Sequence, residues 1–407
     1  MPSSATQPRL SILPSSRSVL DTSCKMGFNW VASDNTMPDR DQVVSRVHQR
    51  LVASFPSQPN PTAGAGGRPT LLVKGAVPII SLIRETIRVC AESLSESLSE
   101  PVDFVTGAPT FSGSLEVRWR HGVRPLSGDT EPKIQVHRYD EHTFILRQAK
   151  TVSYEAPFLY LLFGNSRALL LDTGATDDPA RCPMRQTVDR LITTWLATHA
   201  RTSYPLVVAH THGHPDHVAG DRQFEGRLET KVVATDRRSV MDFFGLTCWP
   251  DQVVQFDLGG RVLEVTGTPG HHDSSISILD AWTGFLLTGD SVYPGRLYVQ
   301  DISAFTDSIG RLLRLAESRG VRHVMGCHIE MRRIPGRDYP IGATYQPDEP
   351  PLQLTVAQLR AVYDAAVSVA DVPGAHAFDD FAIFNGPCRA AIARQHARRV
   401  WTLLCRS

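Results

Sequence analysis

The chain has 407 residues, room for two or three domains at about 150 residues each. Its 42 Lys and Arg balance 42 Asp and Glu, so the formal net charge is zero, which gives no global attraction to nucleic acid or to an anionic membrane. Hydrophobic residues make up 42% of the sequence, enough to bury a large core and to exclude wholesale disorder.

No apolar run approaches the roughly 18 residues of a membrane-spanning helix; the best candidate, residues 71–80, is broken by Lys74 and Pro78. Seven scattered cysteines without a Cys-x-x-Cys pair argue against a disulfide framework and suit a reducing, cytoplasmic setting. The N-terminal segment lacks the apolar core of a secretory signal. Arg9, Arg17 and the serines before Asp21 give it a faint likeness to a transit peptide, and a disordered tail is the reading adopted.

In chain order, residues 1–67 are rich in Ser, Pro, Gly and Asn, and Pro56–Pro69 has the composition of a linker. Ile80, Ile83, Ile87, Cys90, Leu94 and Leu98 recur at spacings of three and four, predicting a helix in an N-terminal helical extension over 68–130. From about Ile134 the segments IQVHRYDEHTFILRQ, FLYLLF, ALLLDTG, PLVVAH, KVVAT, RVLEVTGT, SSISILD and FLLTGD read as strands. Helices fit MRQTVDRLITTWLATH, HVAGDRQF, SVMDFFG and SIGRLLRLAESRG, with two more at Thr355–Ala370 and Arg389–Leu404. Strands that come in neighbouring pairs before each helix favour mixed sheets covered by helices. The expected catalytic domain is 131–350, followed by a C-terminal helical extension over 351–407.

One segment dominates the chemistry. After the apolar strand PLVVA comes His212-Gly-His214-Pro-Asp216-His217. Three imidazoles and a carboxylate crowded this closely need a cation, and zinc takes neutral imidazole nitrogen and carboxylate oxygen. At a strand end His212 and His214 can share a face, while Asp216 and His217 open a helix and aim at a second position. That spacing suits two adjacent metals better than one. His210 sits two residues too early on the strand and reads as buried support.

Further acids and histidines recur at strand ends beside glycines: Asp172 in Leu171-Asp172-Thr173-Gly174, His271 in Pro269-Gly270-His271-His272, Asp290 in Thr288-Gly289-Asp290 and His328 in Gly326-Cys327-His328. Such recurrence marks a site on one rim of a sheet.

On these five motifs, in this order, the chain resembles the metallo-beta-lactamase-fold hydrolases of the dinuclear-zinc HxHxDH type. The resemblance covers roughly residues 130–345. It implies an α/β fold, a four-layer αββα sandwich with N- and C-terminal extensions. It also implies two Zn²⁺ per chain, with His212, His214 and His271 holding one, Asp216, His217 and His328 holding the other, and Asp290 bridging. Asp172 would hydrogen-bond a ligand imidazole. At the His271-His272 doublet the family pattern selects His271 and leaves His272 as a neighbour near the cleft.

The expected activity is hydrolysis of an ester-like bond (lactone, lactam or thioester) of a small molecule by a metal-bridging hydroxide, with Asp216 and Asp290 also able to accept or pass the proton. An iron-dependent oxidoreductase of the same fold and a non-catalytic metal-binding homologue are the alternatives. The expected partner is a small-molecule substrate, not nucleic acid or membrane, and a dimer is open. After His328 the run Glu330–Ile341 should border the cleft, where Arg332, Arg337 and Tyr339 are candidates for binding a substrate carboxylate. A solvated loop with Asp338 and Glu330 pairing the arginines is the competing reading. Tyr293, Arg296 and Tyr298 are further candidates.

Overall fold

The computed structural model describes residues 98–105, 113–124 and 131–404, all within the compact unit Pro78–Ser407. The tail expected over 1–67 and the body of the helix expected from Ile80 lie outside the described residues. The described residues between 98 and 124 hold neither helix nor strand.

The first sheet forms from β1 (Ile134–Asp140), β2 (Thr143–Gln148), β3 (Phe158–Phe163), β4 (Ala168–Leu171), β5 (Leu206–Ala209) and β6 (Thr230–Val232), in that order. Its first four strands are antiparallel, and β4, β5 and β6 run parallel. The parallel step from β4 to β5 is crossed by α1 (Met184–Leu196), as a parallel connection requires. After β5 come α2 (Pro215–Val218) and a 3-10 turn over Ala219–Phe224, and after β6 comes α3 (Arg237–Phe244). The single helix expected over HVAGDRQF is therefore one α-turn followed by 3-10 geometry.

The second sheet is built from β7 (Val253–Asp257), β8 (Val262–Gly267), β9 (Ile276–Asp280), β10 (Phe285–Gly289), β12 (His323–Gly326) and β13 (Gln353–Leu354), with β10 and β12 parallel. Between β10 and β12 lie β11 (Arg296–Val299) and α4 (Ile302–Arg319). The chain then adds α5 (Val356–Ser368), β14 (Gly374–Ala377), β15 (Ala382–Asn385) and α6 (Arg389–Leu404). Residues 351–407, expected to be helical, thus also carry three strands. β13 extends the second sheet, and β11, β15 and β14 form a small third sheet in which β11 and β15 are parallel.

Alternation along β3 explains the layering. Tyr160 and Leu162 face the second sheet, packing in one cluster with Val265, Ile278, Phe285 and Leu287. Leu159, Leu161 and Phe163 face the other way, onto Val188, Ile192 and Trp195 of α1. On the far side, Leu286 and Val324 pack against Phe305, Ile309 and Leu312 of α4 and Leu359 and Val362 of α5. The order helix, sheet, sheet, helix is the αββα sandwich of the metallo-beta-lactamase fold. Each fully buried side chain of this size contributes about 1.5–3 kcal/mol. Among the described residues no helix is long and apolar enough to cross a membrane.

Candidate metal centre

The site lies where strands of both sheets end: Asp172 follows β4, His212 and His214 follow β5, Asp290 follows β10 and His328 follows β12. Two glycines are required here by space. A Cβ on Gly270, at φ +135°, would lie 2.4 Å from the Phe305 backbone, so the residue before His271 must be bare for α4 to close on it. On Gly289, at φ +53°, it would lie 2.6 Å from Thr211 Cβ.

Three imidazole nitrogens converge on one point. His212 Nε2 is 2.9 Å from His214 Nδ1, and His271 Nε2 is 3.2 Å and 3.0 Å from those same two atoms. Around a tetrahedral zinc with Zn–N of 2.0–2.1 Å the nitrogens stand about 3.3 Å apart, so the cluster is already close to a closed-up coordination face. Desolvation holds His212 and His271 below the usual imidazole range, and burial beside His271 and His272 pushes His214 down to about 4. All three are neutral at pH 7, with lone pairs available to a cation.

A second group stands beside it. Asp216 Oδ2 is 3.4 Å from His217 Nε2 and 3.3 Å from His328 Nε2, and those nitrogens are 3.4 Å apart. Asp290 faces both groups. Its Oδ1 is 3.5 Å from His217 Nε2 and 3.2 Å from His328 Nε2, while its Oδ2 is 3.6 Å from His271 Nε2. Asp290 Oδ1 is buried without a hydrogen-bond partner, a state that costs free energy unless a cation sits there. Burial opposes charge on His217 and His328, but the neighbouring carboxylates outweigh it and hold both well above the usual imidazole range. Asp216 and Asp290 are held far below the carboxylate range by the same histidines, against burial. Positive charge is thus strongly favoured among these side chains.

Three of the rings have the remote nitrogen fixed, which sets their orientation. Asp172 Oδ2 takes His217 Nδ1 at 2.9 Å, and its Oδ1 accepts from the Thr211 backbone at 2.8 Å. Asp172 itself sits at φ +68°, a strained conformation for a residue with a side chain, held by these bonds. His271 Nδ1 meets the Tyr298 carbonyl at 2.7 Å, and His328 Nδ1 meets the Glu155 carbonyl at 3.1 Å. Cys327 lies 3.4 Å from Asp172 Oδ2, and burial pushes its thiol pKa up, so it remains a protonated donor rather than a thiolate ligand. His210 is buried and bonds Asp221 at 2.8 Å.

A third cluster, Glu141, His142 and His199, also brings possible ligand atoms together. There His142 Nδ1 accepts from Trp195 Nε1 at 3.1 Å, so in the neutral ring Nε2 carries the proton and has no lone pair to give a metal.

The substrate candidates after His328 take other roles. The Arg332 guanidinium stacks on the Tyr339 ring at 4.3 Å, and Tyr339 Oη accepts from the Asp348 backbone at 2.7 Å. Arg337 is exposed. None of the three makes a hydrogen bond or ion pair to either ligand group. Glu330 and Asp338 do pair arginines, but these are Arg296 and Arg398.

Arg296, one of the further candidates, is spent on contacts within the protein. Fully buried, it bonds Glu330, Asp338 at 3.1 Å, the Tyr339 carbonyl at 2.7 Å and Tyr298 Oη at 3.0 Å. It therefore joins the strand whose Tyr298 carbonyl steadies His271 to the segment just after His328. Tyr293 is also buried, its ring 5.4 Å from that of His328 and its hydroxyl on the Arg296 carbonyl and Glu330.

Residues 155–328 match the family model of the metallo-beta-lactamase superfamily. No curated protein matches the chain. Among solved structures, the chain is similar to a metallo-beta-lactamase from Pontibacter korlensis, with 17% identity, a TM-score of 0.38, and 57% of this chain and 99% of that one covered. It is also similar to the metallo-beta-lactamase FIM-1 from Pseudomonas aeruginosa in its mono-zinc form, with 13% identity, a TM-score of 0.39, and 60% and 99% covered.

Proposed function

Residues 155–328 belong to the metallo-beta-lactamase superfamily, most of whose members are metal-dependent hydrolases, and from that premise we propose that this protein is a dinuclear zinc hydrolase. Its substrate is a small molecule with an ester-like bond: a lactone, lactam or thioester. The observation that carries the reading is Asp290, whose two oxygens face the two separate ligand groups while buried Oδ1, within 3.5 Å of the His217 and His328 nitrogens, makes no hydrogen bond of good geometry to either.

In this reading His212, His214 and His271 would hold one ion and Asp216, His217 and His328 the other, with Asp290 facing both groups. The donor set is imidazole and carboxylate, with the nearby thiol kept protonated, which suits zinc. Bound there, two divalent ions would supply a lowered pKa for water, toward 7, and a polarised carbonyl. The chain's own part is positioning and proton handling. Asp172 and the Tyr298 and Glu155 carbonyls hold three imidazoles in their binding tautomers. Asp216 keeps Oδ1 outside its histidine contacts and its side chain 15% exposed, so Oδ1 can take a proton from water and pass it to the leaving heteroatom.

The test is metal analysis of protein purified without chelator, joined to a panel of lactones, lactams and thioesters. Two zinc ions per chain and turnover of one of these classes are expected. One iron and no zinc would move the protein to the oxidoreductases, and two zinc ions without any turnover would leave a metal-binding homologue.

A further inference from the structure

We propose that the outer face of α6 docks on an anionic lipid surface, with an exposed apolar stripe in the headgroup layer and flanking arginines on the lipid phosphates. A net charge of zero conceals a segregation. Residues 381–407 contain five Arg and no Asp, Glu or Lys, so residues 1–380 carry a net charge of −5. Within α6, Arg389, Arg394, Arg398 and Arg399 share one helix without an acid. A chain charged in this way is drawn to a negative surface by one end while the rest is held off.

The helix has two unlike faces. Ala391 and Gln395, one turn apart, are buried. Ala391 packs with Phe384 and Cys388, and Gln395 and Arg398 both bond Asp338, at 2.6 Å and 2.7 Å. These contacts fix which side of α6 meets the body. Ala393, Ala397, Val400 and Trp401 recur at the spacing of a single helix face, and all four are exposed. Val400 is 55% exposed and Trp401 70%. The apolar stripe is therefore turned to solvent, where burial gains nothing for the folded chain. Arg389 precedes Ala393 by one turn and Arg394 adjoins it. Both are exposed, and among the described residues neither has an ion-pair partner.

Charge selects the occupant. A second copy laid on this face would set arginines against arginines, with no acid on either helix to pair them. A nucleic-acid backbone would satisfy Arg389 and Arg394 but leave the apolar stripe in water. An anionic bilayer takes both. Guanidinium groups bond phosphates through paired charge-assisted hydrogen bonds, an indole places its ring in the apolar boundary and its N–H in the wet layer, and the smaller apolar side chains dip in beside it. No described helix can cross a membrane, so α6, about 24 Å long at 1.5 Å per residue, would lie along the surface.

Flotation of the full chain with vesicles tests this, using phosphatidylcholine alone and phosphatidylcholine with about 30% phosphatidylserine, at about 0.1 M salt. Binding to the anionic vesicles only is expected. Arg389→Gln combined with Arg394→Gln should weaken it about 25-fold, from roughly fivefold for each arginine near such a surface. Trp401→Ser should weaken it about tenfold or more, the scale of exposing one large apolar side chain. All three positions are exposed, so far-ultraviolet circular dichroism should stay that of the wild type. Absence of binding to the anionic vesicles, equal binding to both compositions, or anionic binding that survives both variants would overturn the proposal. A concentration-dependent dimer abolished by Trp401→Ser would instead make this face a contact between copies. Tighter binding to a random-sequence DNA duplex, unchanged by Trp401→Ser, would hand the arginines to phosphodiesters and equally end the lipid assignment.

Discussion

Asp290 is the residue at which charge and shape separate most cleanly. Asp290→Asn keeps the volume but removes the anion that faces both ligand groups. Turnover should fall by about 10²–10³ or more, the scale of a lost charge-stabilising group, while far-ultraviolet circular dichroism stays that of the wild type. Asp172 acts one contact further out, so Asp172→Asn should weaken metal affinity by about 10–100-fold, read by competition with a chelator. All seven proposed ligands were legible in the sequence because imidazoles and carboxylates at strand ends carry their own chemistry. The carbonyls of Glu155 and Tyr298 were not. Every residue owns a carbonyl, and only the folded backbone selects two of them. Arginine was misleading for a related reason: Arg337 stands in a suggestive run yet is exposed, while Arg296 sits in an ordinary-looking strand and is fully buried.

Among the elements, β11 depends on its partners more than its four residues suggest. It pairs with β15, and Arg296 on it is held by Glu330 and Asp338. Removing one member of a buried ion pair leaves an uncompensated charge, at about 3–5 kcal/mol. Arg296→Met should therefore lower stability to denaturant by that order and weaken metal binding at the His271 side. Arg296→Lys should rescue little, because an ammonium cannot reach Glu330, Asp338 and Tyr298 from one planar fork. The unbroken apolar run of β3 and the helical periodicity of α1 and α4 matched their expectation. The strands not read from the sequence were β7, β11, β13, β14 and β15, of two to five residues. β13 spans two residues, and β14 reads GAHA, with no alternation of large apolar side chains. Such strands exist because a neighbouring edge offers hydrogen bonds, which the local sequence does not record.

Across the whole molecule, stability at alkaline pH should carry the mark of Lys150. The ammonium is buried beside Arg147 and Glu349, and burial, only partly offset by Glu349, pushes its pKa down to about 8 from 10.5. Between those values the unfolded chain holds a proton that the native state has released, so this group makes stability rise with pH across that window. Below about pH 8 both states are protonated, and the native state bears the cost of the buried charge. Lys150→Met leaves the two Arg147–Glu349 bonds in place. The mutant should be at least as stable as wild type at pH 7, and its advantage should shrink toward pH 10.5, as urea unfolding at both pH values would report. A mutant less stable at pH 7 would mean that the Lys150–Glu349 contact outweighs desolvation.

The parallel pairing of β11 with β15 also has a consequence in time. A ribosome releases His212, Asp290 and His328 well before it releases Ala382–Asn385, the strand against which β11 completes its ladder. Until then β11 has no strand beside it, and the Tyr298 carbonyl that steadies His271 is anchored only through Arg296 and the Gln300 and Asp301 bonds to Gly270. A nascent chain can thus display every ligand and still lack a rigid first group, so firm metal capture belongs to the finished polypeptide. Chains stalled before β15 should exchange zinc quickly, and chains released after it slowly.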